Sequence, residues 1–509
     1  MIERLCLISV LIVLLLGSSC REDFEYEPSK GNLEFSKDTV YLDTTFTNIG
    51  SSTYTLKVYN RTRDDVSIPS IRLGKGQNSS YRLNVDGVAG KEFENIPLFA
   101  RDSIFIFIES TFDIAQSGAL EFLNTDVIQF DTGDKLQEVQ LVSLVRDAIF
   151  LYPRTLADGT KEKLDIGFDG NGDQIVIEGF YLEDGQLNFT NQKPYVIYGY
   201  AAVPDGRQLV MDPGTRVYFH KDSGIYVEAG GSLVIHGELS ESQELLENEV
   251  IFEGDRLDSE LLEIPGQWGT VWIAMGSINN SIDHLTIKNA TVGLYVEGDA
   301  VSDSPTLTLK NSQVYNSSSI NLWARTATIT AENVVLGNAG NTSLYCNLGG
   351  NYSFIHSTIA NFWSNSFRLG AAVQIDNFTG DGSSDLVRGD FVNCIIDGNR
   401  FIELELRGNQ NNTFNYSFTN CLIKFRDDGG QFRDNPYYDF ENKALFNEVL
   451  LNADANFFDT GAQDFRIKEP SAARDRANFE AANQVPFDLL GKDRTGSPDI
   501  GPYEVDTEM

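Results

Sequence analysis

Histidine, methionine and tryptophan each occur only four times in the 509 residues, and cysteine five times. So few histidines leave little for a metal site or a triad built on imidazole. No Cys-x-x-Cys pair exists, which excludes a zinc site of that type. Basic residues are also scarce. Lys and Arg total 39 against 74 Asp and Glu, a formal net charge of -35, and such a surface repels phosphate backbones, excluding nucleic acid as the expected partner. Long apolar runs are missing: Leu5–Leu16 spans 12 residues, too few to cross a bilayer. What remains in quantity is Gly (44) and Phe (33), which suits a β-rich chain with many turns, long enough for two or three domains.

The stretch 282–425 repeats. Six segments share one pattern: His284–Asn289 (HLTIKN), Asn311–Asn316 (NSQVYN), Asn333–Asn338 (NVVLGN), His356–Asn361 (HSTIAN), Asn393–Gly398 (NCIIDG) and Asn420–Phe425 (NCLIKF). Their starts lie 27, 22, 23, 37 and 27 residues apart. A period in the twenties with short β-branched runs is the signature of a solenoid. The aliphatic positions alternate, with no 3.6-residue period, so each segment is expected to be one strand of a shared sheet. The first residue of each segment reads as a stacked polar ladder. Cys394 and Cys421 share a rung position and are expected to stack in the core rather than to bridge.

A second strand follows in each coil. Its alternation predicts Leu294, Leu322, Leu344, Phe367 and Ile402 inward, together with Val296, Ala324, Cys346, Leu369 and Leu404. Tyr295, Trp323, Tyr345, Arg368 and Glu403 are then expected to face out, one per coil, beside Glu297, Arg325, Asn347, Gly370 and Glu405. Aromatic faces edged by charged groups suit an extended polysaccharide, and Tyr295, Trp323, Tyr345, Arg325, Arg368 and Glu403 are the candidate glycan-binding residues. The same ladder also reads as rings that merely stabilise the outside of a parallel sheet.

Leu5–Leu16 fits a signal h-region, and Leu16-Gly17-Ser18-Ser19-Cys20 resembles a bacterial lipobox. The resemblance implies acylation of Cys20, by palmitate or a similar chain, and an outer-membrane lipoprotein held to the membrane by that anchor. Arg21-Glu22-Asp23 resembles the acidic signal that sends such proteins to the cell surface. Asp38–Gly50 with Leu56–Asn60 resembles the immunoglobulin-like modules of bacterial surface lipoproteins, in keeping with an antiparallel sandwich of short alternating strands. Asp212-Pro-Gly-Thr, Gly230-Gly-Ser-Leu and Trp268-Gly resemble right-handed parallel β-helix proteins of the pectin-lyase-like class, as does the end module closing on Pro498-Asp-Ile-Gly-Pro-Tyr-Glu504. The expected fold is therefore all-β. Residues 1–19 are the signal peptide, 20–30 a tether, 31–149 the immunoglobulin-like sandwich and 150–194 a connecting segment. Residues 195–455 form the β-helix, and 456–509 its end module.

Catalytic residues are not identifiable. Arg466-Ile467-Lys468 matches a hydrolase triplet of this fold but sits in the end module, and no Gly-His-Gly accompanies it. Arg368, Arg400 and Arg407 with Asp376, Asp381, Asp385 and Asp390 are candidate acid, base and charge-stabilising groups from the longest inter-rung spacing, with no signature fixing them together. Asp169, Asn171 and Asp173 in a Gly-rich turn are candidate calcium ligands, a reading that competes with an ordinary Asx-rich turn. The expectation is a surface lipoprotein that binds polysaccharide. A lyase or hydrolase on the same scaffold, and a structural or adhesive envelope protein, stay open.

Overall fold

The computed structural model describes residues 26–116, 119–168, 172–258, 261–299, 304–380 and 382–505. The chain divides into two units after Asp147. In the first, a six-stranded and a five-stranded sheet share one core. Strict alternation makes this possible: Leu56 and Val58, Ile106 and Ile108, and Val139 and Leu141 all point inward at 0 % exposure. Thr39–Phe46, Tyr54–Tyr59, Val66–Leu73 and Ser103–Ser110 are among its strands. The pairing is not wholly antiparallel as expected. Thr39–Phe46 joins Gln137–Arg146 in parallel, as does Glu27–Pro28 with Val66–Leu73.

The second unit is built from three long sheets of eleven, ten and ten strands among the described residues, parallel except where Lys163–Phe168 joins Gln174–Tyr181 antiparallel. The chain visits them in rotation. Gln313–Ser317 lies in the first sheet, Ile320–Arg325 in the second and Thr328–Glu332 in the third; Val335–Ala339 then pairs with Gln313–Ser317. Rotation begins earlier than the sequence suggests. Ile149–Leu151 already pairs with Tyr195–Ile197, so 150–194 is part of the stack and not a connector.

Inward side chains stack coil on coil. Phe354, Phe391, Phe418 and Phe446 form a column with centroids 5.2, 5.0 and 5.4 Å apart. Cys394 and Cys421 are buried thiols beside it, unbridged as expected. Between sheets the chain bends sharply. His284, Asn311, Asn333, His356, Asn393 and Asn420 all carry a φ of 46–55° at the corner into the first sheet. Asn289, Asn316 and Asn338, at 47–60°, turn the chain out of it. Asn tolerates this left-handed region better than most residues, because its short polar side chain bonds locally.

The C-terminal segment is not stacked on the end of the coils. It returns along the outer face of the first sheet, where Phe465, Leu489 and Tyr503 cover Val335 and Ala360. Ala455, Ile467, Ala473, Ala477 and Ile500 cover Ile395 and Leu422. A Cβ on Gly337 would stand 2.2 Å from the Phe465 ring, so close approach requires glycine there. Arg494, 1 % exposed, locks the return: it donates to Asn333 Oδ1 (2.9 Å) and Gly501 O (3.1 Å) and pairs with Glu504 (3.0 Å).

His356 is fully buried in this junction. Asn393 Nδ2 donates to its Nε2 (2.9 Å), so the ring hydrogen sits on Nδ1 and bonds Gly501 O (3.1 Å). Burial, and then the Arg494 charge, hold its pKa down at about 3, below the ordinary 6.5. The unfolded chain takes up a proton that the native imidazole refuses, so this stability is complete above pH 6.5 and drains as pH falls toward 3. His356→Asn, which installs the residue used on neighbouring rungs, should lower the melting temperature less than wild type between about pH 7 and about pH 4. Equal losses in a pH series of thermal melts would contradict the assignment.

Candidate binding strip on the second parallel sheet

Sheet register brings one outward side chain per coil into a file. Tyr226, Trp272, Tyr295, Trp323 and Tyr345 are direct neighbours in turn, followed by Gln374 and Glu405. Ring centroids step by 5.4, 5.2, 4.7 and 6.1 Å, close to the spacing of about 4.8 Å between strands. The antiparallel hairpin Lys163–Phe168/Gln174–Tyr181 lays Leu164, Ile166 and Ile177 over the start of the file, and Tyr226 is buried there. Trp272, Tyr295, Trp323 and Tyr345 are half-buried. Tyr226 and Trp272 extend the file beyond the three rings expected from sequence. Their alternation, Ile225-Tyr226-Val227 and Val271-Trp272-Ile273, is the same signal.

The next outward position carries the polar groups. Glu297 pairs in register with Arg325, and Arg325 with Asn347. Glu297 accepts from Trp272 Nε1 and Tyr295 OH, both at 2.8 Å. Asp376 accepts from Tyr345 OH (2.8 Å), Asn347 Nδ2 (2.9 Å) and Leu348 N (2.9 Å). Both oxygens of each carboxylate are thus engaged as acceptors. Burial, and then the charge of Glu297 or Asp376, push the Tyr295 and Tyr345 phenols well above their usual range, so both remain protonated donors. Burial, and then the Glu228 charge, push the Tyr226 phenol up to about 12. Arg325 is exposed and stands 3.9 Å from Glu297, a loose pairing. The Trp323 indole N–H is enclosed without a hydrogen-bond partner among the described residues.

Two expected strip residues lie elsewhere. Arg368 and Glu403 are 5 % and 0 % exposed and form a buried ion pair at 2.6 Å. Arg368 also donates to Asn361 O (2.9 Å), Asn399 Oδ1 (2.7 Å) and Gly370 O (2.8 Å), and Glu403 accepts from the Ala372 and Arg400 amides (2.8 Å each). The expected reading frame slips here because the coil with the longest spacing holds a loop before its second strand. That strand is Val373–Asp376, and the next is Leu404–Arg407. Phe367 and Leu369, expected inward, are 84 % and 73 % exposed, while Leu404 points inward as predicted.

The loop acids and arginines do not converge. Asp376 lies on the second sheet, Asp390 on the third with Arg388, and Asp385 holds Thr413 N at 2.7 Å; Asp381 lies outside the described residues. Arg407 pairs with Glu405 on its own strand, and Arg400 reaches Arg368 O at 3.0 Å. Of the candidate calcium ligands only Asp173 is described, in an exposed turn; Asp169, Asn171 and the lipidation candidate Cys20 lie outside the described residues. Among the described residues no group of three His, Cys, Asp or Glu side chains is placed to hold a metal ion, and no helix is long and apolar enough to cross a membrane.

No protein-family model matches the chain, and no curated protein does. Part of the chain is similar to the ASH/PapD-like domain of human CEP192 (12 % identity, 26 % of this chain and 94 % of that one, TM-score 0.15). It is also similar to the periplasmic chaperone SfaE (13 %, 23 % and 57 %, TM-score 0.15). A family 123 glycoside hydrolase from Clostridium perfringens matches at 8 % identity over 25 % of this chain and 31 % of that one, again with a TM-score of 0.15. Such scores leave the architecture to be read from the strand pairing alone.

Removing one partner of a buried ion pair strands the other charge, at about 3–5 kcal/mol. Arg368→Met and Glu403→Leu are each expected to destabilise by that amount in urea unfolding, and the double variant to cost less than either. Single variants that unfold like wild type would place the pair in water after all.

Proposed function

We propose that this chain is a lipid-anchored surface protein whose second unit is a right-handed parallel β-helix of the pectin-lyase-like class, binding an extended polysaccharide along its aromatic strip. The single observation behind the reading is the in-register file Trp272–Tyr295–Trp323–Tyr345, half-buried on a parallel sheet. Sugar rings stack their apolar faces on aromatic side chains, and a linear glycan meets one such ring per coil. Arg325, loosely paired beside Trp323, offers donors for hydroxyl groups. Glu297 and Asp376 fix the rings instead of acting as free bases, which favours binding over lyase or hydrolase chemistry for this strip. On this reading the first unit is an immunoglobulin-like spacer between the anchor and the strip. The anchor rests on the Leu5–Cys20 signal and places the protein at the outer membrane, facing outward.

Trp323→Ala combined with Tyr345→Ala should weaken retention in polysaccharide affinity gels by about tenfold or more while the protein stays folded. Retention equal to wild type across a glycan panel would make the file a purely structural stack. Cys20→Ser should move the protein from the membrane fraction to the soluble fraction of its cell; unchanged fractionation would remove the lipid anchor from the reading.

A further inference from the structure

The strip leaves unused the corner where the chain passes from the first parallel sheet to the second, and there the surface closes into a cleft of about 380 Å³. Five stretches far apart in sequence form its walls: Glu263, the corner asparagines Asn316 and Asn338, the loop Phe362 to Asn365, and Gly461 to Gln463 of the returning C-terminal segment.

These walls are fastened to one another. Asn316 Nδ2 donates to Glu263 O (2.8 Å) and to Asn289 Oδ1 (2.6 Å). Asn338 Nδ2 donates to Thr460 O and Gln463 Oε1, both at 2.9 Å, and its Oδ1 accepts from Phe362 N at 2.7 Å. One buried asparagine therefore ties the inserted loop to the C-terminal segment. The loop is held from its other side by the Arg368–Glu403 pair. Arg368 donates to Asn361 O, Asn399 Nδ2 to Trp363 O (2.7 Å), and Trp363 Nε1 to Ser366 Oγ (3.0 Å). The buried ion pair is thus a positioning element for this wall, and the cleft is preformed.

Its chemistry is selective. The lining offers the Asn365 and Gln463 amides, the Ser364 hydroxyl and the rings of Phe362 and Trp363. Among the described residues Glu263 is its single ionisable side chain, and no Lys or Arg lines it. A phosphate, sulfate or carboxylate would find no counter-charge in this lining, on a chain whose net charge is -35; Lys424, whose Nζ stands 6.0 Å from the Phe362 ring centroid, is paired with Asp397 at 3.4 Å. One carboxylate is too few for a hard cation that wants six to eight oxygens. Amides with aromatic faces match a neutral ring that presents hydroxyls at its edge and C–H groups on its faces. The volume lies within the range of about 300–1,000 Å³ typical of small-ligand sites.

We propose that this cleft is a second carbohydrate site, holding one neutral sugar ring or the end of a disaccharide independently of the strip. The test is saturation-transfer NMR on the full chain with methyl glucoside, N-acetylglucosamine and cellobiose, with glucuronate and glucose 6-phosphate as charged controls. Ser364 and Asn365 are exposed, so substitution there leaves the coils intact. The Trp323→Ala/Tyr345→Ala strip variant should retain transfer to the neutral sugars. Added to that variant, Ser364→Trp, which fills the cleft, should abolish it, and Asn365→Ala, which only removes an amide, should weaken it. Transfer from no neutral sugar, transfer that survives Ser364→Trp in the strip variant, transfer lost in the strip variant alone, or equal transfer from the charged controls would each overturn the proposal. Because the strip variant is read separately, a failed cleft does not by itself refute strip binding.

Discussion

A chain that leaves one parallel sheet and enters the next has to bend within a residue or two, at every turn of the stack. At the corners of the first sheet that bend is made by Asn and His held at φ of 46–60°, from His284 to Asn420, and Thr326 and Leu348, at 51° and 59°, bend the chain from the second sheet to the third. Most L-residues resist the left-handed region, and Asn resists it least because its short polar side chain bonds locally. Because the bend recurs at the same place in each coil, successive strands stay in register. Everything else rests on that register: the phenylalanine column inside, the aromatic file outside, and the amide contacts that tie coil to coil. Asn333 Nδ2 reaches Asn311 Oδ1 at 2.9 Å, and Asn316 Nδ2 reaches Asn289 Oδ1 at 2.6 Å, so the corner residues also satisfy one another.

The three outer faces then meet different fates. Val335, Ala360, Ile395 and Leu422 make the first face apolar, and the C-terminal segment buries them. Thr308, Thr330 and Ser353 make the third polar, as a wetted parallel face has to be. The second is intermediate: aromatic, half-buried, and covered only at its start by the hairpin. Carboxylates beside the rings are consumed in holding them, which leaves ring faces and loosely held donors as its recognition chemistry.

Much of this was legible in the sequence, for a physical reason: a repeat of period near 22–27 residues and a two-residue alternation leave direct traces in residue order. The corner positions and the rings Tyr295, Trp323 and Tyr345 could be read in that way. Arg368 and Glu403 could not, because loops have no period and an insertion of unknown length destroys the frame. Nothing local pairs an arginine with a glutamate 35 residues later. The fold-back of the C-terminal segment also leaves a trace in the sequence. Val335, Ile395 and Leu422 share one outward file and Ala360 lies in the file beside it, and apolar outward positions call for a cover.

Register is the claim to test, and a designed disulfide reads it directly. Thr308 and Thr330 are neighbours on the third sheet, with hydroxyls 3.5 Å apart, whereas Thr308 and Ser353 stand two strands apart. One strand spacing, about 4.8 Å, is within reach of a disulfide and two are not. The native thiols Cys346, Cys394 and Cys421 are buried and do not compete. Under mild oxidation, Thr308→Cys with Thr330→Cys should cross-link nearly completely, and Thr308→Cys with Ser353→Cys should not. Failure of the first pair, or equal cross-linking of both, would contradict the stacked register on which the strip and the cleft depend.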